Sequence, residues 1–248
     1  MNAPPDWIIP EWPAPHRVRA LITTRLGGFS QGRYAGFNLG DHVGDEDLAV
    51  RQNRELLRKY LPAEPKWLMQ VHGSQVANAD TLLAPQEADA SFARKANTPC
   101  AILSADCLPL MLCDENGSVV AAAHCGWRGL AAGVIEQTVS AMRTAPATLF
   151  AYLGPAISRK AYEVGEDVRE AFIRSDAGAQ QAFSARAPGK WLGDLYLLAR
   201  QRLTMLGVKK IYGGNFCTYT EAARFFSHRR DGNTGRIASL IWLDAKSG

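Results

Sequence analysis

No apolar run in the chain approaches the roughly 18 residues that a membrane-crossing helix requires, so no membrane partner is expected. The opening segment, MNAPPDWIIPEW, has neither the basic region nor the apolar stretch of a secretory signal. Cysteine is sparse and odd in number, at five, with no spacing that suggests a disulfide framework. These absences predict a soluble, cytoplasmic, reduced protein whose cysteines are free to act as core residues, metal ligands or nucleophiles. Internal repeats, low-complexity tracts and Pro/Gly/Ser-rich linkers are also missing. With 248 residues, 47% of them hydrophobic, the chain can bury a large core, and one domain spanning residues 1–248 is expected. Charge of one sign is lacking too: 28 basic residues against 24 acidic give a formal +4. That balance excludes a nucleic-acid groove as the main feature. The densest basic stretch holds Arg229, Arg230 and Arg236 in a short glycine-containing segment, which suits a local anion site better.

What is present reads as alternating strands and helices. Arg19 to Thr24 has the composition of a strand, and the glycine-dense run that follows carries Arg25, Arg33 and Asn38. Loops of that kind often hold function. Glu46 to Tyr60 reads as a helix ended by Pro62, and KWLMQVHG as a strand closing after His72. Helices are expected over Gly129–Met142, Glu166–Ile173 and Leu192–Leu206, and strands in TLFAYLGPAI and near Lys210–Gly214. In the centre, CAILSADCLPLMLC and SVVAAAHCGWRG flank the turn signal DENG, which predicts a β-hairpin at about 100–124. Adjacent hairpin strands make a purely parallel sheet improbable. The fold class is therefore α/β or mixed α+β, a layered sandwich of mixed β-sheets flanked by helices.

The hairpin gives Cys107 and His124 meaning. If Asp114–Gly117 form a symmetric connection, Cys113 faces Ser118 and Cys107 stands directly opposite His124 on the same face. Opposed Cβ atoms are about 4.5–5.5 Å apart, suitable for two ligands of one ion. Cys125 would point to the other face. His72, before a glycine turn, is the third candidate ligand by its context. Thiolate and imidazole suit zinc, and three protein ligands match a catalytic site. The same residues also permit Cys–His nucleophilic catalysis on an amide or ester, with Cys107 deprotonated by His124 or His72. Taken singly, a cysteine among leucines is an ordinary core residue.

The segments TTRLGGFS, FNLGDHVGD, QVHGSQV, SADCLPLMLCD, AAAHCGWRGL, YLGPAIS with YEVG, and SHRRDGNTGR strongly resemble the bacterial family known as polyphenol oxidoreductases (laccases). The mammalian laccase-domain immune-metabolic enzyme is a relative of that family. The match runs from about Thr23 to Arg236. VHG, ADCLP and HCGWRG in this order are specific; the individual glycine turns are not. The resemblance implies zinc held by His72, Cys107 and His124. It also implies purine nucleoside phosphorylase activity on adenosine, inosine, guanosine or methylthioadenosine, with adenosine deaminase activity. Purine nucleosides and inorganic phosphate are then the partners. His228 stands where relatives often carry tyrosine. Similar proteins are also linked to peptidoglycan-precursor editing. A multicopper oxidase would need roughly ten histidines, and this chain has five. Copper is expected only as a replacement metal, because it binds nitrogen and sulfur ligands more tightly than zinc.

Either reaction needs more groups. Deamination would use zinc to acidify water and a proton shuttle; Asp106 is adjacent to the cysteine, with Asp41, His42 and Glu163 as weaker candidates. Phosphorolysis needs guanidinium groups to grip phosphate, for which Arg25, Arg51, Arg54, Arg229, Arg230 and Arg236 are candidates. Strand alternation argues that Arg229 and Arg230 cannot both face one pocket. Gln70 and Asn38 could read purine or ribose edges, and Trp127 or Phe37 could stack on the base.

Overall fold

Strands that are apolar on both faces need a covering layer on each side, and that requirement organises this chain. The computed structural model describes residue 4 and residues 6–245; the ends of the expected 1–248 domain and the first residues of MNAPPDWIIPEW lie outside the described residues. The first half carries β1 (Val18–Ile22), α1 (Asp47–Arg58), β2 (Val76–Asn78), β3 (Ala90–Ala93), β4 (Cys100–Ser104), β5 (Leu108–Asp114) and β6 (Val120–Cys125). Then follow α2 (Trp127–Ala131), α3 (Val134–Ala141), β7 (Leu149–Leu153), β8 (Glu163–Gly165) and α4 (Glu166–Ile173). The chain ends with β9 (Phe183–Ala187), β10 (Lys190–Gly193), α5 (Leu195–Met205), β11 (Lys210–Gly213), α6 (His228–Asp231) and β12 (Ile237–Leu243).

Among the described residues three sheets result, ordered β11-β7-β5-β6-β3-β2, β1-β12-β4 and β8-β10-β9. The large sheet is mixed: β7/β11 and β2/β3 are parallel, and its central pairs are antiparallel. Period-2 alternation assigns its two faces. Leu108, Leu110 and Leu112 of β5 pack with Val134 and Ile135 of α3 and Leu198 of α5. Met111 and Cys113 point the other way, against Ile22, Ile102 and Ile241 of the β1-β12-β4 sheet. The outer face of that second sheet, with Leu21, Leu103 and Leu240, is covered by Leu57 of α1 together with Trp7 and Phe37. The stack is helix, sheet, sheet, helix, in agreement with the layered sandwich expected.

Several expectations need correction. The apolar run 100–113 is not one strand. It crosses from one sheet to the other through Ala105-Asp106-Cys107, and Asp106 adopts a φ of 87° at the switch. The hairpin therefore begins at Leu108, and its register is shifted by two residues. His124 pairs with Pro109, not Cys107, and Cys113 pairs with Val120, not Ser118. The cause is Asp114, whose carboxylate accepts hydrogen bonds from the Ser118 and Val119 amides at 2.6 and 3.0 Å. That capture moves the four-residue connection to Glu115–Ser118. A two-residue slip preserves the face, so Cys107 and His124 stay on the same side. KWLMQVHG forms only isolated bridges, Lys66 with Cys100 and Met69 with Glu87. The expected helix over Gly129–Met142 is broken into α2 and α3 at Gly133, where φ is 88°. The strand β12 was not anticipated.

Candidate metal centre

His72, Cys107 and His124 converge where the two large layers separate at the open end of the β5/β6 hairpin. Their ligand atoms all lie within 4.8 Å of one another, the one such group of three among the described residues. Cys107 Sγ is 3.9 Å from His72 Nε2, and the two imidazole rings sit edge to face with centroids 4.8 Å apart. Gly126 permits this closeness: a Cβ there would lie 3.0 Å from Cys107 Sγ and 3.0 Å from a carbon of the His72 ring. Cys125 faces the opposite layer and is buried against the helices.

A residue that the sequence reading missed holds the group together. Asp89 is fully buried, and its carboxylate accepts hydrogen bonds from the amides of Val71, His72 and Gly73 at 3.1, 2.9 and 2.6 Å. His72 itself has a φ of 60°, a conformation uncommon for a residue with a side chain and here fixed by those three amides. The same carboxylate lies 2.8 Å from His124 Nδ1. An ionised carboxylate can only accept, so Nδ1 carries the proton and Nε2 is presented to the site. Burial opposes ionisation of Asp89, but the His124 ring and the backbone amides hold it below the ordinary carboxylate range. Burial likewise opposes a Cys107 thiolate; His124 and His72 outweigh it and draw the thiol down. His124 is drawn up in turn, with burial opposed by the thiolate and by Asp89. Cys100 and Cys113, without such neighbours, are pushed up to about 12 by burial.

The three residues lie in the wall of a cavity of about 710 Å³. Its other walls include Gln70, Trp127, Tyr162, Glu163, Asp167, His42, His228, Arg229 and Arg236. Tyr162 and Arg128 were not among the sequence candidates; Tyr162 is buried beneath Arg229, whose guanidinium carbon is 5.4 Å from the ring. Gln70 faces the cavity, but its amide pairs with both the N–H and the C=O of Leu103 at 2.8 Å, replacing a missing strand partner rather than offering a free edge. Asp106 is spent structurally. One oxygen accepts from Thr218 Oγ1 at 2.6 Å, the other from Ser227 Oγ at 3.0 Å and the Arg229 amide at 2.6 Å. It knots α6 to the sheet switch, which argues against the proton shuttle expected of it. Asp41 is held down to about 2 by its hydrogen bond to His42, with Arg54 adding to the effect, and so is a poor proton carrier near neutrality.

Most of the arginines lie elsewhere than expected. Arg25 bonds the carbonyls of Ala35 and Ala222 and covers Phe226. Arg51 is exposed on α1, and Arg54 is paired with Asp41 and Leu39 O. Arg230 points away from the cavity toward Asp231 and the carbonyls of Thr218, Tyr219 and Phe225. It parts from Arg229 because the segment is a helical turn, not a strand. Asn38 is fully buried and organises its own loop through Gly40, Asp45 and the Arg236 amide. Phe37 packs on Trp7 in the core.

Residues 19–244 match the model of the family described as multi-copper polyphenol oxidoreductase laccase. A purine nucleoside phosphorylase of Pseudomonas aeruginosa is 50% identical over 98% of this chain and 99% of its own length. One of Escherichia coli is 50% identical over 95% and 98%. The crystal structure of a Neisseria meningitidis protein superposes with a TM-score of 0.94 at 51% identity, covering 97% of this chain and all of that one. A YfiH protein of Bacillus licheniformis gives 0.85 at 29% identity over 92% and 93%. Among the described residues, no helix is long and apolar enough to cross a membrane.

Proposed function

The chain belongs to the multi-copper polyphenol oxidoreductase laccase family, and from that premise we propose that it is an enzyme, a zinc-dependent purine nucleoside phosphorylase. The carrying observation is the convergence of His72, Cys107 and His124 in the wall of a cavity large enough for a nucleoside and an anion. Close relatives named purine nucleoside phosphorylase support the reaction class. Two imidazoles and one thiolate fit zinc, and three protein ligands are the number found in catalytic zinc sites. A trinuclear copper cluster finds no counterpart, since the five histidines of the chain include only these two in the group. Copper would fit this site as a replacement. We take residues 1–248 as one functional domain, because the cavity draws its walls from His42 through Arg236.

When bound, zinc supplies Lewis acidity beside the reacting groups. The protein does the remaining work. Asp89 holds His124 in the tautomer that presents Nε2. Trp127 and Tyr162 offer aromatic surface for a purine in the cavity wall. Burial and the neighbouring Cys107 push the Tyr162 phenol well above its ordinary range, so it stays protonated and able to donate a hydrogen bond. Adenosine deamination is a second reaction proposed for the same cavity, and the cytoplasm is the proposed location.

Metal-replete protein should release free base from adenosine, inosine, guanosine or methylthioadenosine only when phosphate is added, with the sugar 1-phosphate as co-product by chromatography. Ammonia release from adenosine without phosphate would report deamination. Base release independent of phosphate would overturn the phosphorylase reading. One observation favours a second reading: Asp89, His124 and Cys107 are in the order of a Cys–His–Asp hydrolase triad. A thiol nucleophile predicts that alkylating Cys107 abolishes activity equally with and without metal, whereas metal ligation predicts that zinc protects the thiol.

A further inference from the structure

The arginines of this chain divide by what neutralises them. Arg19, Arg54, Arg58, Arg169, Arg174, Arg202, Arg224 and Arg230 each lie within ion-pair distance of a carboxylate. Arg236 has no such partner among the described residues, although its side chain lines the cavity that also holds His72, Cys107 and His124. One nitrogen, Nη1, donates to the carbonyls of Thr234 and Gly235 at 2.6 and 3.0 Å, and the backbone amide donates to Asn38 Oδ1 at 2.8 Å. The aliphatic stem lies against Gly40, where a Cβ would come within 2.8 Å of Arg236 Cγ. The head is therefore fixed at one corner, and Nε and Nη2 have no hydrogen bond among the described residues.

A guanidinium removed from water without a carboxylate is costly unless an anion completes it. Burial depresses its basicity, and the largest opposing influence is the negative charge of Cys107, followed by Asp106. Both are already committed, the first to the metal-ligating group and the second to Thr218, Ser227 and the Arg229 amide. Two other cavity arginines lack an ion-pair carboxylate among the described residues: Arg128 is exposed and lies over Trp127, and Arg229 spends Nη1 on Glu163 O at 2.6 Å and lies over Tyr162. Arg230 faces away. We propose that Arg236 forms the inorganic-phosphate site of the cavity, its free guanidinium edge gripping a tetrahedral oxyanion beside His72, Cys107 and His124. A planar fork suits two phosphate oxygens at once, which an ammonium does not.

This assignment rests on the phosphorylase reading for its ligand, and its test separates the two. Inorganic phosphate is titrated into zinc-replete wild type, Arg236→Gln, Arg236→Lys and, as control, Arg51→Gln, by calorimetry and by steady-state nucleoside cleavage. Charge-assisted hydrogen bonds of this kind predict a rise of about tenfold or more in phosphate Kd and phosphate KM for Arg236→Gln. Nucleoside KM should change less than twofold, and Arg51→Gln should match wild type. Arg236→Lys keeps the charge but loses the fork; it should fold and still bind phosphate several-fold more weakly, which keeps the test decisive if the glutamine variant is unstable. Unchanged phosphate Kd in both folded variants, or no phosphate binding by wild type, overturns the inference. Phosphate binding that is lost in Arg236→Gln, in a wild type that cleaves nucleosides without phosphate, would instead keep the anion site and end the phosphorylase reading.

Discussion

The two ends of the β5/β6 hairpin solve the same problem with the same residue type and for different ends. At the closed end Asp114 is buried and accepts from the Ser118 and Val119 amides and the Ser118 hydroxyl. At the open end Asp89 is buried and accepts from three successive amides, Val71 to Gly73, and from the His124 ring. Asp114 bonds residues four or five positions away, and Asp89 residues 16 to 35 positions away. The first carboxylate fixes a turn. The second ties together two histidines of the candidate metal site that approach from different segments. A buried carboxylate is thus a generic organiser of backbone amides, and only its long-range partners make it functional.

The largest effect should come from removing the sulfur at the open end. Cys107→Ser should lose most bound zinc, measured by mass spectrometry, and turnover should be abolished; a fully active, zinc-loaded variant would sink the metal assignment. Next comes the organiser. In Asp89→Asn one oxygen becomes a donor that faces backbone N–H groups, so the set of four acceptances cannot be kept. Zinc affinity by chelator competition should fall by about 10–100-fold, the usual consequence of losing a partner that orients a ligand. Affinity within twofold of wild type would break the contrast between the two carboxylates.

That contrast also explains what was legible in the sequence. Glu166–Ile173 is the helix α4 as expected, and the helices α1 and α5 lie within one to three residues of their expected starts. Their signals are local: apolar spacing, caps and breakers. DENG announced the turn, but the turn shifted by one residue because the Asp114 side chain competes for the amides of Ser118 and Val119, a choice that residue types alone do not reveal. The three residues of the candidate metal site stood out in sequence because VHG, ADCLP and HCGWRG are specific patterns. Asp89 was not, since EADAS resembles any polar turn and its role depends on partners far along the chain. The six arginine candidates could not be ranked for the same reason. Arg54 and Arg230 look like Arg236 in sequence, and only the fold shows which of them meets a carboxylate.

A smaller effect separates the cysteines of the two ends. In metal-free protein at neutral pH, iodoacetamide should modify Cys107 quickly, because His124 and His72 overcome burial and favour its thiolate. Cys113, at the closed end and pushed up to about 12, should stay unmodified until the protein unfolds. Zinc should protect Cys107. A thiol whose folded pKa is depressed contributes stability above its unfolded pKa and loses it as pH falls through the folded value. Metal-free protein should therefore lose this contribution progressively as pH falls from about 9, the ordinary thiol value, through about 6, the folded value, and Cys107→Ser should flatten that part of the stability profile. Peptide mapping that found Cys107 and Cys113 equally slow would remove the electrostatic difference between the ends.

The least change in function should follow from the closed end itself. In Asp114→Asn the amide oxygen can keep the Ser118 and Val119 amides and Nδ2 can donate to the Ser118 hydroxyl, so the three contacts persist but lose the charge of the carboxylate. That loss costs about 1 kcal/mol, on the order of 3 °C in Tm for a chain of this length. The turn lies at the far end of both strands from Cys107 and His124, and β5 and β6 are held by β7 and β3 on their outer edges. Register at the open end should therefore persist, with zinc affinity and phosphate KM within twofold of wild type. If Asp114→Asn lowered zinc affinity as much as Asp89→Asn, the strands would be transmitting the turn's geometry to the metal centre, and the hairpin would have to be treated as one functional unit.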